Sequence, residues 1–192
     1  MICNSRNRWN DRIKADPYER FLITDLLGRL GTGLNDLAWE SGLRFVQIPA
    51  VATYSSMLSE GYPSDAQMLS EIDERLYVQA AFSHQSYYIY FRVGSRAVIA
   101  HELGHCVDKM LNGFGSTATE LAPQPKRSEL VSCYALRGDS SERFAESFAA
   151  YINADPPRYS IDHLRRTDRS AAAALHIIFR GANGADDASA RL

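Results

Sequence analysis

Two histidines four positions apart, with a glutamate directly after the first, can hold a metal ion and act beside it. The chain carries this arrangement as His101-Glu102-Leu103-Gly104-His105, within the stretch VIAHELGHCVD. On a helix, His101 and His105 point off one face about one turn apart, so both imidazoles can reach one ion. Glu102 projects about 100° round the axis and can reach a water without ligating the metal. A zinc ion lowers the pKa of a bound water from about 15.7 toward about 7. The carboxylate can then take a proton as the water attacks a carbonyl, and pass one to a leaving amine. The bland alternative is a helix that carries two surface or packed histidines.

A catalytic zinc needs a third protein ligand and an open fourth position. The pattern HExxHxxGxxH would place a histidine shortly downstream, but position 108 is Asp and position 111 is Leu. A carboxylate on a second helix is the other common solution. Residues 139–151, DSSERFAESFAAY, offer Glu142 and Glu146 four apart on one face, with Phe144, Phe148 and Tyr151 on another that would enter the core. One carboxylate should ligate zinc and the other, one turn on, should hold a histidine's second nitrogen. We assign Glu142 as ligand and Glu146 as partner of His101. Taken alone, the same pair would be a solvated face, with Asp139 and Glu142 forming a capping box.

Asp108 falls near the azimuth of both histidines. It either braces His105 or a neighbouring amide as a supporting group, or caps the following loop. Gly104 permits close backbone approach at the site. Cys106 projects away from the histidines, and the wide, odd spacing of Cys3, Cys106 and Cys133 is neither a disulfide framework nor a CxxC metal site. His84, His163 and His176 read as surface or packing residues.

The elements that must position these groups are legible in outline. Residues 1–15 are polar and read as a frayed terminus. Pro17 opens a helix through Leu30, stopped by Gly31-Thr32-Gly33, with a further turn or two over Leu34–Glu40. Arg44–Ile48 reads as a strand, and Ser64-Asp65 can cap a helix through Leu76. Tyr77–Phe82 and Tyr87–Arg92, rich in aromatic and β-branched residues, flank a Ser83–Ser86 turn like a hairpin. The HExxH helix should run from about Arg96 to Leu111. Residues 113–130 read as loop, 139–151 as helix, 160–179 as a last helical stretch, and 181–192 as a disordered tail. This is an α+β chain. We expect one catalytic domain over 16–180, with an N-terminal α/β part to about 113 and a helical part over 114–180.

The chain has 192 residues, with 45% hydrophobic, 23% charged and a formal net charge of −2. That composition suits one globular domain and carries no basic block that would mark a nucleic-acid footprint. No apolar run approaches the roughly 20 residues of a membrane helix. The N-terminal MICNSRNRWNDRIKADP lacks the apolar core of a Sec signal peptide. We therefore expect a protein that binds neither nucleic acid nor membrane, monomeric, and either cytoplasmic or exported by another route.

HELGHxxD followed by ExFAExF resembles the protease domain of anthrax lethal factor and the smaller Pro-Pro endopeptidases. These are gluzincins, metalloproteases of the zincin fold with a His-His-Glu zinc site. The resemblance covers roughly Tyr77 to the end of the last helix. It implies a small mixed sheet with an antiparallel edge strand, an active-site helix and a helical C-terminal subdomain. It implies one Zn²⁺ held by His101, His105 and Glu142, with Glu102 as general base. It also implies a tyrosine that assists the oxyanion. Tyr134 is the match, one residue further upstream than the pattern, with Leu136–Asp139 able to absorb the offset. Tyr87–Arg92 would be an inner strand and Val78–Phe82 the edge. An extended peptide would add along Gln79, Ala80, Ala81 and Phe82.

The expectation is a zinc metalloendopeptidase acting on protein substrates, a candidate secreted toxin or effector. Two alternatives stand beside it. One is a cytosolic zinc aminopeptidase or regulatory peptidase. The other is a zinc-binding interaction module without turnover, which would have no use for Glu102.

Overall fold

A computed structural model describes residues 8–48, 80–92, 95–121 and 140–184. The expected helix over 64–76, residues 77–79, Gln79 among them, and Tyr134 lie outside the described residues. The described residues form a mixed α+β structure with a small four-stranded sheet and mostly helices. No helix among the described residues is long and apolar enough to cross a membrane.

In chain order the elements are β1 (Ile13–Lys14), α1 (Pro17–Gly28), α2 (Gly31–Glu40), β2 (Arg44–Gln47), β3 (Ala80–Ser83) and β4 (Tyr88–Phe91). They continue as α3 (Arg96–Met110), α4 (Phe114–Leu121), α5 (Ser140–Tyr151), α6 (Ile161–Thr167) and α7 (Arg169–Asn183). The strand order is β1-β2-β4-β3. β2 runs parallel to β1 and β4, whereas β3 is antiparallel to β4 in the register Ala81↔Tyr90 and Phe82↔Ile89. Among the described residues, β3 is therefore the edge beside β4.

Residues 8–15 correct the expectation of a frayed terminus, and residues 1–7 lie outside the described residues. Trp9 and Ile13 are each 1% exposed, and Ile13–Lys14 is a strand of the sheet. Trp9 donates its indole N–H to Asn35 Oδ1 at 3.1 Å and meets Trp39 edge-on at 5.3 Å. The Arg12 guanidinium lies 3.5 Å from the centre of the Trp39 ring. A polar, Arg-rich composition looked like a solvated tail, but here the cation covers an aromatic and the segment is anchored.

Capping chemistry sets the starts of α1 and α3. Asp16 accepts the Glu19 N–H ahead of Pro17, and Ser95 Oγ accepts the Val98 N–H. The glycines at 31–33 do not leave a loop. Gly31, at φ 75°, turns the chain directly into α2. A Cβ on Gly33 would sit 1.8 Å from the Ala182 carbonyl oxygen, so this glycine lets α2 and α7 cross.

Three further boundaries differ from expectation. The segment expected as loop after Gly113 is helical over α4. Its first turn is held by Asp108, which accepts the Ser116 N–H at 2.8 Å and the Ser116 hydroxyl. The cap sits on the preceding helix, so no adjacent residue signals it. The expected last helix is broken at Asp168, which caps α7 by accepting the Ala171 N–H at 3.0 Å. Finally, α7 runs into the segment expected as tail. There, Asn183 accepts the Leu34 N–H at 3.1 Å and donates to the Leu30 carbonyl at 2.8 Å.

One buried cluster links the layers. Ile99, Leu103, Cys106 and Val107 of α3 meet Phe144 and Phe148 of α5 and Phe179 of α7. Burial raises the Cys106 thiol pKa, so it packs as an apolar group.

Candidate metal centre

α3 and α5 pack against each other, and Gly104 governs how closely. A Cβ at position 104 would lie 2.8 Å from Ala145 Cα and 3.2 Å from Phe148 Cβ. Without it, the two backbones approach closely, and Glu142 and Glu146 of α5 come over the two histidines of α3.

His101, His105 and Glu142 each offer a ligand atom, and these atoms lie within 4.8 Å of one another. His101 Nε2 is 3.2 Å from Glu142 Oε2, and His105 Nε2 is 3.5 Å from Glu142 Oε1. The two Nε2 atoms are 3.0 Å apart. Two imidazole nitrogens that close need something positive between them, either a proton on one or a cation held by both.

The outer nitrogens are also committed. His101 Nδ1 lies 2.9 Å from Glu146 Oε1, and a carboxylate can only accept, so Nδ1 carries the proton and Nε2 faces Glu142. His105 Nδ1 lies 3.0 Å from Ser141 Oγ, which holds the second ring in place. Two neutral imidazoles and one carboxylate form a donor set that suits zinc. These residues fit the ion.

The surrounding carboxylates favour positive charge at this point, either a second proton on His101 or a cation that replaces it. Burial alone would push His101 down, but hydrogen bonds to Glu142 and Glu146 outweigh it and raise its pKa to about 10. Hydrogen bonds from His101 and His105 hold Glu142 well below the usual carboxylate range. Burial pushes the Glu102 carboxyl up, against the pull of both histidines and of a hydrogen bond from the Phe82 N–H. Ala80, Ala81 and Phe82 lie in β3, and Phe82 N donates to Glu102 Oε2 at 2.8 Å.

Of its two readings, Asp108 takes the second and caps the segment that follows α3. Its carboxylate oxygens go to Ser116 and hold α4, rather than a histidine ring.

The sequence reading missed Ser141 and Tyr159. Ser141 directly precedes Glu142 and could have been suspected as the residue one step from a candidate ligand. Tyr159 donates its hydroxyl to Glu146 Oε2 at 3.0 Å, extending the chain Tyr159–Glu146–His101. It lies across the turn after α5, and no helical spacing points to it. α5 is further pinned by Arg143, 5% exposed, which forks onto the 2% exposed Asp168 with Nε–Oδ2 at 2.9 Å and Nη2–Oδ1 at 3.1 Å.

Glu146 has one oxygen on Tyr159 and the other on His101, so removing the Tyr159 hydroxyl takes away one of the carboxylate's supports. Tyr159→Phe should weaken zinc binding about 10- to 100-fold, the usual cost of losing a group that orients a ligand. Chelator competition measures this, and an unchanged affinity would contradict the relay.

No family model matches the chain, and no curated protein matches it. Among solved structures it is similar to a Pro-Pro endopeptidase from Paenibacillus alvei. The TM-score is 0.55 and the identity 14%, over 88% of this chain and 98% of that one. At that identity the likeness shows a shared fold. The small mixed sheet and surrounding helices are compatible with it.

Proposed function

We propose that this chain is a zinc-dependent metalloendopeptidase that hydrolyses peptide bonds of protein substrates, with residues 16–180 as its catalytic domain. The observation that carries the reading is the convergence of His101, His105 and Glu142 on one point, with Glu102 on the same helix turned to the edge strand. The fold shared with a Pro-Pro endopeptidase supports a peptidase.

In this reading His101, His105 and Glu142 hold the ion, and Glu146 and Ser141 fix the two ring orientations. When bound, zinc would polarise the scissile carbonyl and acidify a water. Glu102 accepts the proton at its carboxylate and returns it to the leaving amine. The partner is a peptide or protein segment lying extended along β3, bound by a monomer. A purely structural zinc site closes its fourth position and needs no base beside it.

Bound zinc and cleavage of a peptide library, measured for the native chain and two variants, test this reading. Glu102→Gln should keep zinc and lose activity by roughly 10²–10⁴-fold. Glu142→Ala should lose both. A native chain that holds zinc and cleaves nothing would instead be a binding module, and cleavage that requires a free substrate N-terminus would make it an aminopeptidase.

Proline at an outward-facing position of an edge strand leaves the ladder intact. Ala80→Pro should therefore keep zinc content and raise KM for long peptides several-fold, roughly the loss of one main-chain rung. Unchanged cleavage would refute substrate placement on β3.

A further inference from the structure

Backbone hydrogen bonds fix which way each peptide group of the sheet faces. Arg44 N–H donates to the Tyr87 carbonyl at 3.0 Å, and Ile48 N–H donates to the Phe91 carbonyl at 2.7 Å. With the parallel register Val46↔Tyr90, the odd-numbered residues of β4 direct their peptide groups to β2. The even-numbered residues, Tyr88 and Tyr90, therefore direct theirs to β3, where their partners are Ser83 and Ala81. By alternation, the peptide groups of Ala80 and Phe82 face outward from β4. That outer edge is where an added strand would dock.

One outward donor on this edge is already engaged. Phe82 N–H meets Glu102 Oε2 at 2.8 Å, joining the edge strand to the residue after the first histidine of α3. A carboxylate has two oxygens, so holding Oε2 fixes the plane of the group and leaves Oε1 to serve as the base. We infer that the Phe82 main-chain amide is the positioning group for Glu102, and that β3 therefore offers an incoming peptide one donor fewer than an ordinary edge strand. The inference rests on the peptidase reading for its consequence and on the hydrogen bond alone for its geometry. An extended peptide would register on the Ala80 peptide group and on the carbonyl of Phe82, while the Phe82 N–H stays with the base. The edge strand and the base then move as one unit, and distortion of β3 reaches catalysis without touching the metal ligands.

Residue-resolved amide hydrogen exchange on the metal-free full-length chain separates the geometry from the activity. The Phe82 amide should be protected in the native chain and exchange at least about tenfold faster in Glu102→Ala, as expected for loss of a hydrogen bond to a charged group. It should stay protected in Glu102→Gln, which retains an acceptor oxygen. The amides of Ala81 and Ser83, bonded to β4, should keep their rates in both variants. Equal Phe82 rates in the native chain and Glu102→Ala would overturn the inference.

In cleavage assays, Phe82→Pro removes the N–H, and Phe82→Ala keeps it while removing the same ring. Phe82→Pro should lose at least about tenfold more kcat than Phe82→Ala, at a KM within about threefold of it. A loss confined to KM would overturn the positioning role. A native chain that cleaves nothing would sink the peptidase reading, while hydrogen exchange would still decide the Phe82–Glu102 contact.

Discussion

The candidate centre depends on how closely two helices cross. α3 supplies the histidines and α5 the carboxylates, and they meet where Gly104 faces Ala145. Any side chain at position 104 would press on the α5 backbone, and backbone yields less readily than the end of a flexible side chain. An increase of even an ångström in helix separation would carry Glu142 away from both Nε2 atoms together. The absence of one methyl group therefore sets the spacing of three candidate ligands.

Closeness alone does not fix the rotation of α5, and the polar contacts around it do. Arg143 forks onto Asp168, which also caps α7. Breaking such a buried pair typically costs about 3–5 kcal/mol, although the pair's net contribution over apolar packing is small. What it supplies here is register, because Glu142 and Glu146 flank Arg143 along the same helix. Glu146 in turn is held between Tyr159 and His101. Supports reach the histidines from α5 and from the turn beyond it, so the rings are oriented by groups far apart in sequence.

This explains what sequence reasoning could reach. His101, Glu102 and His105 are visible because a helix repeats every 3.6 residues, and Glu142 and Glu146 are visible for the same reason. Their meeting could be inferred because a metal site needs a third ligand. The hairpin of β3 and β4 was legible from its aromatic and β-branched arms. Tyr159 was not legible, because its link to Glu146 is made only when the chain folds back. The two readings of Asp108 stay open in the sequence because helical azimuth says which face a carboxylate occupies and not which neighbour reaches it first; Ser116 does. Residues 8–15 are not the frayed end that their composition suggests, because composition counts Arg12 as a solvated charge, whereas the fold lays it over Trp39.

Glu142 of α5 completes the candidate site begun on α3. Anomalous diffraction at the zinc edge, from crystals of the zinc-loaded chain, tests it most directly. A single peak is expected about 2.0–2.2 Å from His101 Nε2, His105 Nε2 and a Glu142 oxygen, with Glu146 remaining on His101 Nδ1. A peak that leaves Glu142 uncoordinated, or that recruits Glu146 in its place, would contradict it.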